Sequence, residues 1–127
     1  MNDKIVFKAL IPQLVVPDVV KAAEFYRDKL GFTILDYFLD PPVYAMVRRD
    51  EVEIHFGKGD GPETKSNQSL RKGLGHDIYI IVSDIGGAFR ALSEAGVEIV
   101  EGPVKRVYGS TEVVTKDCYG FTVVFGD

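Results

Sequence analysis

Two stretches of the sequence end in the same Phe-Gly pair but carry different residues immediately before it. VEIHFG ends at residues 56–57 and TVVFG ends at residues 125–126. The residue before the pair is His55 in the first stretch and Val124 in the second. An imidazole can bind a metal or act as a general base near neutral pH, whereas an aliphatic side chain can do neither. Metal binding and acid–base catalysis are therefore the first chemistries to test against the rest of the chain.

Alternation along the strand-like stretches separates an apolar face from a mixed face. In VEIHFG the apolar side chains alternate with Glu53 and His55, and successive side chains of a strand point to opposite faces. The apolar faces predict contact with helices, whereas the mixed faces predict either a partly apolar ligand cavity or a plain solvated surface. We expect the cavity, because aliphatic residues such as Val15 and Ile81 stand among the polar ones. The predicted ligand-binding residues are Gln13, Tyr44, Met46, Glu53, His55, Asp77, Tyr79, Glu112 and Val124. For Tyr44 and Met46 the sequence does not fix which face of their strand they occupy.

His55 is the best candidate for catalysis that the sequence offers. Glu53, two residues away, could tune the imidazole toward neutral pH, but no nucleophile is identifiable. A single inward histidine is more often a hydrogen-bonded wall residue. Nothing near Cys118 in the sequence favours its thiolate form. The sequence therefore predicts no catalytic residues.

An internal repeat supplies the elements that would position these residues. When Asp18 is aligned with Asp84, an apolar strand precedes each aspartate and a helical pattern follows it. An aspartate at this place can cap the helix N-terminus through its side-chain oxygen. Gly31 and Gly96 then stand where a left-handed residue usually ends a helix. These landmarks indicate a duplication rather than a chance similarity of helix and strand patterns.

Each copy continues with three strand candidates, so that each half reads β-α-β-β-β. VYAMVRR and EVEIHFG nearly meet at Asp50, which predicts a tight hairpin. The predicted class is α+β, with two tandem βαβββ modules that form a curved mixed sheet around a cavity and helices on the outside. We place module one at residues 7–58, a linker or mobile flap at 59–75 and module two at 76–127, all within a single domain.

The composition agrees with one globular domain of 127 residues. Hydrophobic residues make up 46% of the chain, and no apolar run approaches the roughly 20 residues that span a bilayer. A net charge of −4 without a basic stripe argues against nucleic acid as a partner. The single cysteine and the polar interruptions of the N-terminal apolar stretch predict a cytoplasmic protein without a signal peptide.

The string D-x-x-x-A-x-x-F-Y-x-x-x-L-G-F, which runs from Asp18 to Phe32, resembles a motif of the vicinal oxygen chelate superfamily. This superfamily includes glyoxalase I, extradiol dioxygenases, fosfomycin resistance enzymes and bleomycin resistance proteins. The resemblance extends over residues 11–126 and includes VYGSTEVVTKDCYGFTVVFGD in the second half. It implies the two-module fold but does not fix the reaction, because the superfamily runs many reactions.

The resemblance also implies four metal-binding positions, one near an end of each of four strands. They fall on Ile11, His55, Asp77 and Val124. Two of the four are aliphatic and cannot donate to a metal, so we predict no metal and no other cofactor. A register slip of one residue would bring in His76 instead of Asp77 and leave the other three positions no better.

The remaining resemblance is to the metal-free bleomycin resistance proteins, which bind a bulky cationic drug without reacting with it and act as dimers. It implies a homodimer that binds a small molecule, such as a cationic antibiotic or a similar amphipathic ligand. Glu53, Asp77 and Glu112 would supply negative charge, and Tyr79 an aromatic surface. Two alternatives stay open: a metal-dependent lyase, isomerase or dioxygenase with unusual ligands, and a partner-binding module that uses the 58–75 loop. The chain has no tryptophan, which drug-binding relatives often use for stacking, so the identity of the ligand stays open.

Overall fold

The computed structural model describes residues 2–127. Within them, two copies of the β-α-β-β-β pattern follow one another, joined by a segment with one short helix. The predicted α+β class with two tandem βαβββ modules is confirmed. The elements are β1 (Gln13–Val16), α1 (Val19–Leu30), β2 (Thr33–Phe38), β3 (Tyr44–Arg49), β4 (Val52–Lys58), α2 (Asn67–Leu70), β5 (Ile78–Ile81), α3 (Ile85–Glu94), β6 (Glu98–Lys105), β7 (Thr111–Lys116) and β8 (Thr122–Gly126).

The strands form two four-stranded mixed sheets, one in each module. The strand orders are β1-β4-β3-β2 and β5-β8-β7-β6. The first strand of each module is parallel to the last, and the other pairs are antiparallel. The hairpin predicted at Asp50 is present, since Arg49 pairs with Val52 and Asp50 has a φ of 51° in the turn. The two modules therefore have the same topology.

The strand register is also repeated between the modules. Gln13 lies opposite His55 in the first sheet, and Tyr79 lies opposite Val124 in the second. The third strands, β3 and β7, also have the same register with the fourth strands, because Tyr44 lies opposite Gly57 and Glu112 lies opposite Gly126. Tyr44 and Glu112 are thus equivalent positions on equivalent faces, a relationship that the sequence alignment did not give.

Both long helices begin and end as the repeat predicts. The Asp18 carboxylate accepts hydrogen bonds from the backbone N–H groups of Val20 and Lys21, and Asp84 accepts one from Gly87. Gly31 ends α1 in the left-handed conformation, with a φ of 74°. A Cβ at Gly87 would press against the Asp84 carboxylate, so the glycine that weakens the helix also leaves room for its cap.

The apolar faces of the two sheets and the helices share one core. Val16, Ile54 and Phe56 of the first sheet and Val123 of the second are buried in it, as the alternation predicts. Tyr26 of α1 is fully buried, and its ring centroid lies 5.0 Å from that of Phe56. The charged sides of the helices stay exposed. None of the helices among residues 2–127 is long and apolar enough to cross a bilayer.

Helix α1 connects module one to module two along its length. The Tyr26 hydroxyl donates a hydrogen bond of 2.7 Å to the buried carboxylate of Asp117, in the β7–β8 turn. The Lys29 ammonium donates to the carbonyl of Ala95 at the end of α3, at 2.8 Å. Burial raises the pKa of Asp117, and the bond from Tyr26 opposes that rise. The two modules therefore share both an apolar core and a buried polar contact.

Candidate functional site

The mixed face of module one brings five of the predicted residues together. Met46 lies opposite His55, which lies opposite Gln13, so these three side chains form one row across β3, β4 and β1. Tyr44 lies two residues from Met46 on β3, and Glu53 lies two residues from His55 on β4, so both share this face. The parity of β3, which the sequence leaves open, is thereby fixed. Val15 and Phe38 add apolar surface to the face, each 60% exposed.

His55 lies in a hydrogen-bonded chain between Tyr44 and Glu53. Its Nε2 is 2.6 Å from Glu53 Oε2, and its Nδ1 is 2.7 Å from the Tyr44 hydroxyl oxygen. Because a carboxylate only accepts, Nε2 donates to Glu53, and Nδ1 of a neutral ring accepts from the Tyr44 hydroxyl. The Tyr44 ring packs edge-on against the imidazole, with ring centroids 5.3 Å apart. His55 therefore has two hydrogen-bond partners, Glu53 on its own strand and Tyr44 on the neighbouring strand β3.

The mixed face of module two is built around Glu112, which is only 3% exposed. Glu112 Oε2 accepts hydrogen bonds from the hydroxyls of Tyr79 at 2.7 Å and Tyr108 at 2.6 Å. Glu112 Oε1 accepts one from Arg106 Nε at 2.9 Å. Val124 is fully buried on the same face. The structure thus brings three of the predicted residues, Tyr79, Glu112 and Val124, onto one face.

The electrostatics of this cluster favour the ionised carboxylate. Burial by itself would raise the pKa of Glu112, but the bonds from Tyr108, Tyr79 and Arg106 outweigh it and leave that pKa below its usual range. The pKa of Tyr108 is raised, because its hydroxyl donates to the carboxylate. Arg106 also binds Glu101, and the two carboxylates raise the pKa of its guanidinium. Glu112 is therefore a charged group inside a fully hydrogen-bonded site.

Arg106 and Tyr108 are functional candidates that the sequence reasoning missed. Both lie at the tip of the β6–β7 hairpin and reach back to the sheet. Their spacing from Glu112, six and four residues, was a usable signal, because a hairpin returns its tip toward its own second strand. The register of β6 shifts twice before the tip, and the second shift, between Glu101 and Val104, spans Gly102-Pro103, a dipeptide that signals an interrupted strand.

Asp77 directly precedes β5, the edge strand of the second sheet, and its role differs from that of the other predicted acids. Its Oδ1 accepts from the backbone N–H of Asn67 and its Oδ2 from that of Thr122, both at 2.8 Å. The carboxylate thus fastens the linker helix α2 to β8. It also lines, with Gln13 and Val15, a cavity of about 760 Å³ under the linker. Asp77 is therefore a structural acid at the edge of a cavity, with both oxygens already bonded.

A second cavity, of about 580 Å³, lies between the modules. It is bounded by the β3–β4 turn on one side and by the start of α3 on the other. Neither cavity is lined by Tyr44, His55 or Glu112. Ile81, on the mixed face of module two, is 74% exposed. The outer strands of the two mixed faces are therefore exposed, whereas Glu112 and Val124 at the centre of the module-two face are buried.

The residues at the superfamily's metal positions do not fit a metal. Ile11 and Val124 have no donor atoms, both oxygens of Asp77 accept backbone hydrogen bonds, and both ring nitrogens of His55 are engaged. A divalent ion needs several convergent nitrogen, oxygen or sulfur donors. Over residues 2–127, no three or more His, Cys, Asp or Glu side chains are grouped for a metal. The donor chemistry of this site thus disagrees with the metal site that the fold implies.

Comparison with known proteins agrees with this fold. The chain belongs to the Glyoxalase/Bleomycin resistance protein/Dioxygenase superfamily, whose family model matches residues 8–125. No curated protein matches the chain.

Solved structures resemble the chain over nearly its whole length. The structure of UcmS2 is 26% identical, with a TM-score of 0.75 over 97% of this chain and 99% of that one. The structure of TioX from Micromonospora sp. ML1 is 18% identical, with a TM-score of 0.74 over 94% and 98%. The bleomycin-binding protein from Streptomyces verticillus, complexed with copper(II)-bleomycin, is 21% identical, with a TM-score of 0.70 over 95% and 96%.

Proposed function

We propose that this chain is a homodimeric, metal-independent binding protein for a small amphipathic cation. The observation that carries the proposal is the content of the two mixed faces. The hydrogen-bonded rings of Tyr44 and Tyr79 and the exposed side chains of Val15 and Ile81 share these faces with the positions where superfamily enzymes hold a metal. Such a surface can bind a drug-sized molecule by stacking, apolar contact and a few polar contacts, without chemistry that depends on an ion.

The charges on the mixed faces support a cationic ligand. In module one, Glu53 faces Arg48 at 3.5 Å, and the exposed Asp36 lies opposite Met46. Around Glu112 in module two, three carboxylates accompany one guanidinium, and Glu98 and Lys116 offset each other further along that face, so the excess charge is negative on both faces. An excess of one sign on a partly enclosed surface concentrates ligands of the opposite sign. The charges around Glu112 are those of Glu112 itself, Glu101, Asp127 and Arg106.

A cationic glycopeptide drug is the example that the comparisons offer. The bleomycin-binding protein of Streptomyces verticillus has this fold and is described in complex with copper(II)-bleomycin. At 21% identity the likeness concerns the fold, so we take from it the mode of binding and leave the ligand open. Sequestration of an antibiotic is the role we propose for such binding.

A second copy of the chain is the partner we propose. The cavity that Gln13 and Asp77 line under the linker does not include Tyr44, His55 or Glu112, and each mixed face exposes large apolar side chains, such as Val15 and Ile81. Joining module one of one chain to module two of another would cover these side chains and form a closed site. We infer a cytoplasmic location from the single cysteine, Cys118, whose use fits a reducing compartment.

The test combines metal analysis with a ligand screen on the intact protein. We expect elemental analysis to find no stoichiometric Zn²⁺, Mn²⁺, Fe²⁺ or Ni²⁺. We also expect cationic antibiotics, including metal-free bleomycin, to raise the melting temperature equally with and without EDTA. The His55→Ala variant should weaken binding without changing metal content. One metal ion per site, lost together with binding in His55→Ala, would refute the proposal.

A second candidate function is metal-independent proton transfer, and the Tyr44–His55–Glu53 chain favours it. A carboxylate that orients an imidazole, which in turn accepts from a hydroxyl, is the arrangement that activates a hydroxyl for acid–base work. Mass spectrometry and NMR of a bound compound after incubation distinguish the two functions. Conversion that is lost in Tyr44→Phe, with binding retained, supports catalysis. An unchanged compound supports binding alone.

A further inference from the structure

The tip of the β6–β7 hairpin, residues 106–110, lies over the mixed face of module two without apolar support. The turn is closed by the Arg106 N–H, which donates to the Ser110 carbonyl at 2.8 Å, and by the Gly109 N–H, which donates to the Arg106 carbonyl. Val107 is fully exposed and Tyr108 is 68% exposed. The tip is therefore attached to the sheet through polar contacts.

Those polar contacts converge on Glu112. Arg106 and Tyr108 reach it from the tip, and Tyr79 reaches it from β5. A buried carboxylate must be compensated by a positive charge or by several donors, because burial removes it from water. Arg106 supplies the charge and the two phenols supply neutral donors. Tyr79 and Tyr108 would donate the same two hydrogen bonds to Glu112 if another cation took the place of Arg106.

Arg106 has a second carboxylate partner outside the buried site. Its Nη2 pairs with Glu101, whose side chain is 51% exposed. The guanidinium can therefore leave Glu112 and remain paired with Glu101 at the surface. An exposed ion pair contributes little in either arrangement, so the exchange costs little beyond the bond to Glu112.

The surroundings of Glu112 suit a cation that carries an apolar part. The row through Glu112 crosses Gly126 and reaches Ile81, which is largely exposed. Asp127 is fixed nearby by the backbone N–H of Thr111 at 2.7 Å and adds negative charge. An anionic group would meet three carboxylates here, whereas a cation would meet compensating charge and then an apolar surface.

We propose that Arg106 is an internal occupant of a cation subsite, and that an amidinium, guanidinium or ammonium group of the ligand replaces it on Glu112. The incoming group lies between the phenols of Tyr79 and Tyr108, and Arg106 turns outward to Glu101. This inference rests on the proposed function and deepens it, since it names the chemical group that the binding site accepts.

The probe is benzamidine, an aromatic amidinium, titrated calorimetrically into the intact protein. Arg106→Ala and Arg106→Gln vacate the subsite and should tighten binding about tenfold, the size of one charge-assisted hydrogen bond. Glu101→Gln removes the outer partner of Arg106 and should weaken binding. Adding Glu112→Gln to Arg106→Gln should abolish the gain. Arg90→Ala, which removes an exposed arginine from α3, is the matched control and should change nothing.

Neutral benzamide is the matched probe, and its affinity should not depend on Arg106. Circular dichroism establishes that each variant is folded. If Arg106→Ala does not fold, Arg106→Gln, which keeps most of the side chain, carries the test. Unchanged or weaker benzamidine binding in folded Arg106→Gln overturns the inference. So does a gain that survives Glu112→Gln. A ligand from the antibiotic screen whose binding is intact would then leave the proposed function standing, whereas a metal-loaded protein with tightened benzamidine binding would sink the function alone.

Discussion

The phenol of Tyr79 crosses the backbone of Gly126 on its way to Glu112, and a Cβ at residue 126 would overlap its hydroxyl. The equivalent glycine of module one, Gly57, has ordinary space, with Tyr44 Cδ1 3.9 Å from the place of a Cβ. The two Phe-Gly pairs therefore differ in what their glycines do, since only Gly126 is needed to make room for another side chain. In module two, the glycine is the opening through which a tyrosine from one edge strand reaches a carboxylate two strands away.

Gly126→Ala should lower the melting temperature, because the added methyl group must displace the Tyr79 phenol from Glu112. We expect a loss on the order of 5 °C by calorimetry. Gly57→Ala is the matched control and should cost much less. Tyr79→Ala should relieve the effect, so that Gly126→Ala costs little in that background. Additive losses in the double variant would contradict the overlap.

Tyr26→Phe should destabilise the protein, because Asp117 loses a hydroxyl donor in a buried place. Removal of one partner from a buried polar pair costs about 1–3 kcal/mol in the free energy of unfolding. Urea denaturation measures this. Tyr37→Phe, whose half-buried ring packs against the same core, is the control and should cost less. Equal losses in the two variants would show that the hydrogen bond to Asp117 contributes nothing.

Acid should remove the stabilising effect of Glu112. Its folded-state pKa lies below the ordinary value, so its contribution is present above about pH 4.3, the usual glutamate value, and is lost as the pH falls through the folded-state pKa. The groups that face it are Arg106, Tyr79 and Tyr108. The difference in unfolding free energy between wild type and Glu112→Gln should thus be largest near neutral pH and shrink toward pH 3. A difference that grows on acidification is the contrary result, and Glu94→Gln, exposed on α3, is the control.

The purified protein should behave as a dimer of about 28 kDa, twice the chain mass of 14.1 kDa. Light scattering after size-exclusion chromatography measures this directly. Ile81→Asp should shift the protein toward the monomer, because it introduces a charge on an apolar part of the mixed face. Leu74→Asp changes another exposed apolar residue, in the linker, and should leave the mass unchanged. A wild-type mass of one chain at micromolar concentration would exclude the proposed homodimer.

Local patterns were sufficient to predict the frame of the fold. Asp18 and Gly31 mark a helix through interactions that span only a few residues, and alternation in VEIHFG assigns Ile54 and Phe56 to the core because strand periodicity is strict. Residue type alone also shows that Val124 has no atom that could bind a metal, whereas His55 has two ring nitrogens.

The polar contacts of the site depended on distances that sequence patterns do not contain. Asp77 looked like a free acid, yet its oxygens bind the backbone of the linker and of β8. Tyr44 completes the His55 chain from a strand whose parity was open. Arg106 reaches Glu112 from the tip of a hairpin whose first strand, β6, shifts register twice. Each of these contacts depends on how one element meets another, and only the contact of Arg106 with Glu112 had a signal in the sequence, its spacing across a hairpin.

The buried contact between Tyr26 and Asp117 has a consequence for how the molecule comes apart. A duplicated chain could melt in two steps, one for each half, if each half closed its own interior. Here the helix of the first half fills space beside the second and satisfies its buried acid, so neither half is complete alone. The heat-absorption curve should therefore show one cooperative transition, with equal calorimetric and van't Hoff enthalpies for each cooperative unit, and either half expressed separately should not fold.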